Sequence, residues 1–209
     1  MKHTNLIIMA TAMAILTGCS DDAVPAFAPT ESSLYITSEG TITSATVETY
    51  DKDYYTADEL KSFANEILAE FNSQSGTESA ASVKECAMAD GTAKLLIDFK
   101  TPDLYMDFME QYPDEESEIQ VKTIDITTVS DGIAKGYLVG DDFYQINKDN
   151  KEVSADEVMK QSKLYVAAVE GPALIQADGT IVYISADVVV TAPNQVQTPD
   201  EGMSYIVFK

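Results

Sequence analysis

TADELKSFANEILAEFN, residues 56–72, is the most strongly helical segment of this 209-residue chain. Thr56 and Glu59 have the spacing of a capping box, in which a threonine hydroxyl and a glutamate side chain satisfy backbone N–H groups at the start of a helix. The apolar residues of the segment recur at helical spacing and form one stripe; they are Leu60, Phe63, Ala64, Ile67, Leu68 and Phe71. The segment predicts a helix over residues 57–72, and such a stripe packs against a core more often than it binds a partner.

Strand-like segments precede this helix. Residues 34–36 and 41–50 are rich in Thr, Val, Ile and Tyr, and Glu39-Gly40 separates them. A glycine between two such segments predicts a hairpin, because glycine accepts the positive φ that a tight turn requires.

The same pattern recurs further along the chain. Residues 83–88 and 92–100 predict two strands joined by an acidic–glycine turn. A second helix is predicted from Thr101-Pro102, with Thr as N-cap and Pro in the first turn, where its missing N–H costs nothing. The apolar face of that helix comprises Leu104, Tyr105, Phe108, Met109 and Tyr112. The chain thus predicts a repeated strand–turn–strand–helix unit.

The part of the chain after the acidic run at 114–118 predicts mostly strands. A second capping box, Ser154 to Glu157, predicts a short helix that ends near residue 162, and residues 192–202, with two prolines, predict an exposed loop. Strands are predicted at 119–129, 133–138, 143–146, 164–169, 173–176, 180–185, 188–191 and 205–208.

Hairpins followed by helices predict an α+β fold, with a mainly antiparallel sheet and two or three helices on one face. This domain would extend over residues 32–209. A division near the acidic run, into subdomains 32–113 and 119–209, is the alternative.

The N-terminus has the features of a secretory signal peptide. Lys2 and His3 form a basic start, and the apolar run at 6–16 is too short for a bilayer core, which takes about 20 residues. The run ends at Leu16-Thr17-Gly18-Cys19, which resembles the lipobox of bacterial lipoproteins. The resemblance implies a covalent diacylglycerol on the Cys19 sulfur and cleavage before Cys19. Residues 1–18 would then be the signal peptide and residues 19–31 a lipidated tether, which is small, acidic and flexible in composition.

Two segments further along carry a looser resemblance. TVETYDKDYYTADELKSF at 46–63 and YIVFK at 205–209 are similar to segments of small uncharacterised lipoproteins of Gram-positive gut bacteria. The resemblance implies no site residues. With the lipobox, it predicts a protein anchored by lipid on the extracytoplasmic face of a cell membrane, and it leaves open whether that is an inner, an outer or the sole membrane.

Composition excludes several classes of function. The formal net charge is −22 and the chain has no arginine, so nucleic acid is not an expected partner. His3 is the one histidine and would leave with the signal peptide, which removes Ser–His–Asp and Cys–His catalysis and His-ligated metal sites. Cys86 would then be the one free thiol, and a buried structural role is expected of it because no histidine can activate it.

Two clusters of carboxylate and amide side chains are weak candidates for calcium. Asp51, Asp53 and Asp58 precede the first helix, and Asn147, Asp149 and Asn150 lie in a later loop. Neither cluster has the glycine that an EF-hand loop requires, so capping and connecting roles are preferred to metal binding. We expect no cofactor other than the diacylglycerol on Cys19.

Three functions stay open on the sequence. The preferred one is a non-enzymatic binding or assembly module whose partner is a protein, a wall polymer or a cationic ligand. The second is a carboxylate-dependent enzyme acting on glycans, although nothing selects one pair among the 35 acidic residues. The third is a calcium-stabilised adhesion domain.

Overall fold

A computed structural model describes residues 25–50, 55–140, 142–146 and 150–209. Within these ranges the chain forms four helices and thirteen strands, which confirms the predicted α+β class. The helices are α1 (Ala57–Ser75), α2 (Pro102–Gln111), α3 (Val129–Ala134) and α4 (Ala155–Met159). The strands are β1 (Ser33–Ile36), β2 (Ile42–Thr49), β3 (Ala81–Ala89), β4 (Thr92–Phe99), β5 (Thr123–Thr128), β6 (Phe143–Gln145), β7 (Lys151–Val153), β8 (Tyr165–Glu170), β9 (Leu174–Ala177), β10 (Ile181–Ser185), β11 (Val189–Ala192), β12 (Gln195–Gln197) and β13 (Met203–Phe208).

The strands divide between two sheets. The first sheet has the order β11-β12-β9-β1-β2-β4-β3, and the second has the order β5-β8-β13-β10-β6-β7. Among the described strand pairs every one is antiparallel except β1 with β9, where Leu34 aligns with Ile175. The first sheet therefore takes strands from both sides of the acidic run at 114–118.

The second sheet contributes apolar side chains to two cores, one on each of its faces. In β13 of the second sheet, Ile206 and Phe208 belong to the core shared with the first sheet, while Tyr205 and Val207 belong to a smaller core on the opposite face. Val129 of α3 and Val158 of α4 close that smaller core. Successive side chains of a strand point to opposite faces, so one strand serves both cores.

The elements from β1 to α2 show the predicted repeat. β1, β2 and α1 are followed by β3, β4 and α2, and all four strands lie in the first sheet. β2 and β3 both pair antiparallel with β4, which lies between them, so α1 connects two strands that run in the same direction. Helices α1 and α2 follow their hairpins and cover the inner face of this end of the sheet.

Both long helices have the threonine N-caps that the sequence predicts, whereas the Glu59 carboxylate bonds a hydroxyl and not the backbone N–H expected in a capping box. The Glu59 N–H donates to the Thr56 hydroxyl over 3.2 Å, and the Leu104 N–H donates to the Thr101 hydroxyl over 3.3 Å. The Glu59 carboxylate accepts from the Thr56 hydroxyl at 2.8 Å. In α4, by contrast, Ser154 makes no side-chain capping bond, and the helix ends at Met159 rather than near 162.

The strand predicted at 133–138 is wrong. Thr128 instead caps α3, because its hydroxyl accepts from the Asp131 N–H at 3.1 Å and donates to the Asp131 carboxylate at 2.9 Å. Gly132 is a helical residue and not a turn. A Cβ on it would lie 3.0 Å from Val166, so its lack of a side chain allows α3 to approach β8.

The exposed loop predicted at 192–202 is also wrong in part. β12 lies within it, between β11 and β9, and Val196 is fully buried. Pro193 and Pro199 flank the strand, where the N–H that proline lacks is not required by the ladder. The two prolines therefore mark the ends of a strand and not a continuous loop.

The described part of the predicted tether lies against the first sheet. The Phe27 ring stacks on Tyr35 with centroids 4.9 Å apart, and Gln176 Nε2 donates to the Pro25 carbonyl over 3.1 Å. Ser32 continues this contact, since its hydroxyl accepts from the Val47 N–H at 3.0 Å. Residues 25–32 thus follow the outer face of the sheet, which is the face turned away from the second sheet.

Candidate functional site

A cavity of about 200 Å³ lies between α1, α2 and the inner face of the first sheet. Most of the side chains that line it are apolar. They are contributed by β2 (Ser44, Thr46), α1 (Leu60, Phe63, Ala64, Ile67, Leu68), β4 (Leu95, Ile97, Phe99), α2 (Tyr105, Phe108, Met109) and the segment after α2 (Tyr112, Asp114, Ser117, Ile119).

The floor of the cavity is formed by alternating residues of β4. Leu95, Ile97 and Phe99 share the inner face, as their spacing predicts. Ser44 lies in the neighbouring strand β2, where it pairs with Ile97 of β4. It supplies a small polar side chain to the same face. Because the floor belongs to two hydrogen-bonded strands, its side chains are held in fixed register.

One wall is the apolar stripe of α1, and it is only partly used as core. Ala64, Leu68 and Phe71 are buried, as the helical spacing predicts. Phe63 was expected in the same core, yet it is 61% exposed. The stripe is wider than the sheet can cover, so Phe63 lies on its flank, at the rim of the cavity.

The other wall is a cluster of aromatic rings centred on Phe108 of α2. Its ring lies 5.3 Å from Phe71, 5.3 Å from Phe99 and 5.0 Å from Tyr112, measured between centroids. Tyr105 packs edge-on against Phe99 at 5.4 Å. Burial raises the pKa of the Tyr105 phenol, so that this lining group is neutral over the physiological range.

The acidic run after α2 contributes the polar part of the lining. Asp114 is exposed and Ser117 is half-buried, and both border the cavity. Their own backbone organises this loop: the Glu116 N–H donates to the Asp114 carboxylate at 3.1 Å and the Ser117 N–H to the Asp114 carbonyl at 3.3 Å. Among the described residues that line the cavity, Asp114 is the one with a formal charge.

This arrangement is suited to binding an apolar group. Small-molecule sites are typically concave and apolar with a few polar groups that set orientation. An apolar cavity of about 150 Å³ is large enough for a ring the size of benzene. The aromatic wall and the single carboxylate at the edge add a preference for uncharged or cationic ligands over anionic ones.

The calcium candidates are not assembled into a site in the part of the chain that the structure describes. Asp51, Asp53, Asn147 and Asp149 lie outside the described residues. Asp58 lies exposed in the first turn of α1, where a carboxylate complements the helix dipole. Within the described ranges no three His, Cys, Asp or Glu side chains are close enough to hold a metal ion.

The structure describes one of the two cysteines. Cys19, the predicted lipidation residue, lies outside the described residues. Cys86 is half-buried in β3, and its thiol donates to the Ala57 carbonyl at 3.4 Å. Burial raises the pKa of this thiol, which disfavours the reactive thiolate and fits the structural role expected of it.

None of the helices in the described ranges combines the length and the hydropathy that crossing a membrane requires.

Comparison of the chain with models of protein families, with curated proteins and with solved structures gave no match.

Sequence reasoning did not find the cavity. The sequence predicts core packing for the α1 stripe and assigns no site residues to the acidic run at 114–118. The apolar pairs Phe63-Ala64 and Ile67-Leu68 have the spacing that is ordinary for a helix packed on a core, so the sequence contains no signal that one flank of the stripe is uncovered.

Proposed function

We propose that this protein is a lipid-anchored, extracytoplasmic binding module that holds a small apolar group in the cavity between α1, α2 and the first sheet. The observation that carries the proposal is the cavity itself, with its aromatic wall and the exposed Phe63 at its rim. The proposed ligand has an apolar body of about the size of one or two rings. An amine on it would lie favourably near Asp114, whereas a carboxylate would be repelled by Asp114 and by the net charge of −22.

The lipobox supports the proposed location. Leu16-Thr17-Gly18-Cys19 follows a basic start and a short apolar run, and a lipidated Cys19 would hold the protein at a membrane without a spanning helix. Two or more acyl chains give stable anchoring, whereas one chain gives only marginal anchoring.

Three ring probes that differ in charge test the binding proposal. We expect saturation-transfer NMR to detect indole and tryptamine on the full chain, and to detect indole-3-acetate more weakly. Ala64→Leu should reduce the signal of all three probes several-fold, because Ala64 is 5% exposed and lines the cavity, so that a larger side chain occupies the ligand volume.

Ala69→Leu on the same helix is the matched control. Ala69 is exposed and does not line the cavity, so the same change of side chain should leave probe binding intact. Melting temperatures of both variants establish that each is folded. Absence of binding to the unmodified protein, or an equal loss in both variants, would refute the cavity as the binding site.

Cys19→Ser tests the anchor. A serine cannot carry the thioether-linked diacylglycerol, so we expect the variant protein to leave the membrane fraction for the soluble fraction after cell lysis. Cys86→Ser is the control, because it removes a thiol without touching the lipobox, and it should fractionate like the unmodified protein. Membrane association that survives Cys19→Ser would contradict the lipid anchor.

A further inference from the structure

We propose that the outer face of β11, β12, β9 and β1 lies against the membrane surface when the protein is anchored. This inference rests on the lipid anchor of the proposed function and adds an orientation to it. The face is defined by the outward side chains Val189, Thr191, Gln195, Gln197, Gln176 and Tyr35.

The path of the N-terminal segment is the first argument. Phe27 is stacked on Tyr35, and the Pro25 carbonyl accepts from Gln176, so residues 25–32 are held on this outer face. Five residues separate Cys19 from Pro25. At about 3.3 Å per residue, that length can place Pro25 no more than about 20 Å from the lipidated sulfur.

A tether that began at the sheet edge would allow many orientations. Here the first described residue, Pro25, lies on the middle of a face, beside β9 and β1, which have other strands on either side. A short connection that starts in the middle of a face brings that face, and not an edge or a helix, closest to the bilayer.

The charge of the face is the second argument. The six side chains that define it are all uncharged, and two carboxylates lie at its margin: Glu31 is exposed in the covering segment, and Asp178 follows β9 two residues after Gln176. The outer face of the neighbouring strands differs, since Lys84 of β3 pairs there with Asp98 of β4 at 3.0 Å. Exposed charges interact over about 8 Å at physiological salt, so a face with two carboxylates at its margin meets less repulsion from an anionic bilayer than a more acidic face would.

The location of the cavity is compatible with this orientation. The cavity uses the inner face of the first sheet, with Ile97 and Phe99 in its floor, whereas the proposed membrane contact uses the outer face. A ligand could therefore enter the cavity while the protein is seated on the membrane.

Tryptophan fluorescence tests the orientation, because the chain has no tryptophan of its own. Val189→Trp places a single donor on the proposed membrane face, where Val189 is 59% exposed. Val139→Trp is the matched control: Val139 is 65% exposed and follows α3, beyond the second sheet and its smaller core. Sheets stack about 10 Å apart and Val139 lies beyond the second sheet, so the two donors differ by more than about 10 Å in height above the membrane.

The lipidated full-length variants are reconstituted into phosphatidylcholine–phosphatidylglycerol vesicles that contain dansyl-labelled phosphatidylethanolamine. We expect energy transfer to dansyl to be several-fold stronger from Val189→Trp than from Val139→Trp. Adding Phe27→Ala to Val189→Trp should weaken the transfer, because the segment at 25–31 loses its stacking contact and the tether lengthens. Gln197→Trp on the same face serves in place of Val189→Trp if circular dichroism shows that the latter does not fold.

Each other outcome overturns the orientation. Equal transfer from Val189→Trp and Val139→Trp on vesicles would mean that the anchored body has no preferred face, while the anchor itself stands. Failure of the lipidated protein to bind vesicles, with Cys19→Ser behaving identically, would remove the anchor and the orientation with it. A dimeric Cys19→Ser protein that becomes monomeric with Val189→Trp would show that a second copy covers this face.

Discussion

Gly171→Ala is expected to destabilise the protein by about 4 kcal/mol, at the upper end of single-substitution effects. A Cβ on Gly171 would lie 2.2 Å from the Gln120 carbonyl oxygen, and the residue has φ +101°, a conformation that L side chains rarely adopt. The backbone on both sides of this contact is held by hydrogen bonds. The Gln120 N–H donates to the Pro172 carbonyl at 2.9 Å, and the Gly171 carbonyl accepts from the Thr198 hydroxyl at 2.7 Å. Urea-induced unfolding followed by circular dichroism measures the loss.

Gly202→Ala separates the clash from the backbone strain. Gly202 also has a positive φ, +89°, but nothing lies within 4 Å of its Cβ position. Its substitution should cost about 1 kcal/mol, the strain of a left-handed residue alone. Equal losses of stability for Gly171→Ala and Gly202→Ala would show that the contact with Gln120 does not constrain the segment that joins β8 of the second sheet to β9 of the first sheet.

Phe99→Ala is expected to cost about 3–5 kcal/mol, the range measured for large aromatic residues replaced in a core. Phe99 is 2% exposed, and its ring contacts both Tyr105 and Phe108. Removal of the ring would delete buried apolar contacts and leave a void beside the existing cavity. Helix α2 cannot fill this void without losing its contact with the sheet. The same denaturation experiment measures the change.

Phe63→Ala provides the comparison for the same change of side chain. Phe63 lines the same cavity but is 61% exposed, so its removal should alter stability by no more than about 0.5 kcal/mol. It should, however, weaken the binding of indole, because its ring forms the rim. If Phe99→Ala were no more destabilising than Phe63→Ala, the aromatic wall would not be part of the core.

The contrast between Phe99 and Phe63 shows how much of a residue's burial can be predicted from the local sequence pattern. Both lie at apolar positions of regular elements, where the spacing predicts an apolar face. Spacing defines the side of an element that turns inward, but not how much of that side a neighbour covers. Phe99 alternates into the layer beneath α2, whereas Phe63 lies on the flank of a stripe that is wider than its contact.

The candidate site also has a part that the sequence predicts and a part that it does not. The residues of its walls could be named from the sequence, because the stripes of α1 and α2 and the alternation of β4 are local patterns. That two helices leave a gap of about 200 Å³ between them depends on their separation, which no local pattern records. Asp114 and Ser117 join the lining because the loop after α2 turns back toward the sheet, and the sequence shows only that this loop is acidic.

Errors of element type had equally local causes. Asp131-Gly132 resembles the acidic–glycine turns elsewhere in the chain, yet Thr128 begins a helix before it, and the glycine serves close packing against Val166. Pro193 and Pro199 suggest a continuous loop, yet three residues between them pair on both sides as β12. A strand of three residues is too short for a periodic pattern to be recognised.

The sequence by itself determined the local structure of this protein: the caps of α1 and α2, the hairpins before them, the repeat they form and the α+β class. These depend on interactions between residues close along the chain, where residue type and spacing are sufficient. Only the tertiary structure decided which strands became neighbours, because backbone hydrogen bonds are alike for every strand and do not specify a partner. The parallel pairing of Leu34 with Ile175, the insertion of β12 and the packing of Phe27 on the outer face all depend on contacts between residues far apart in the chain.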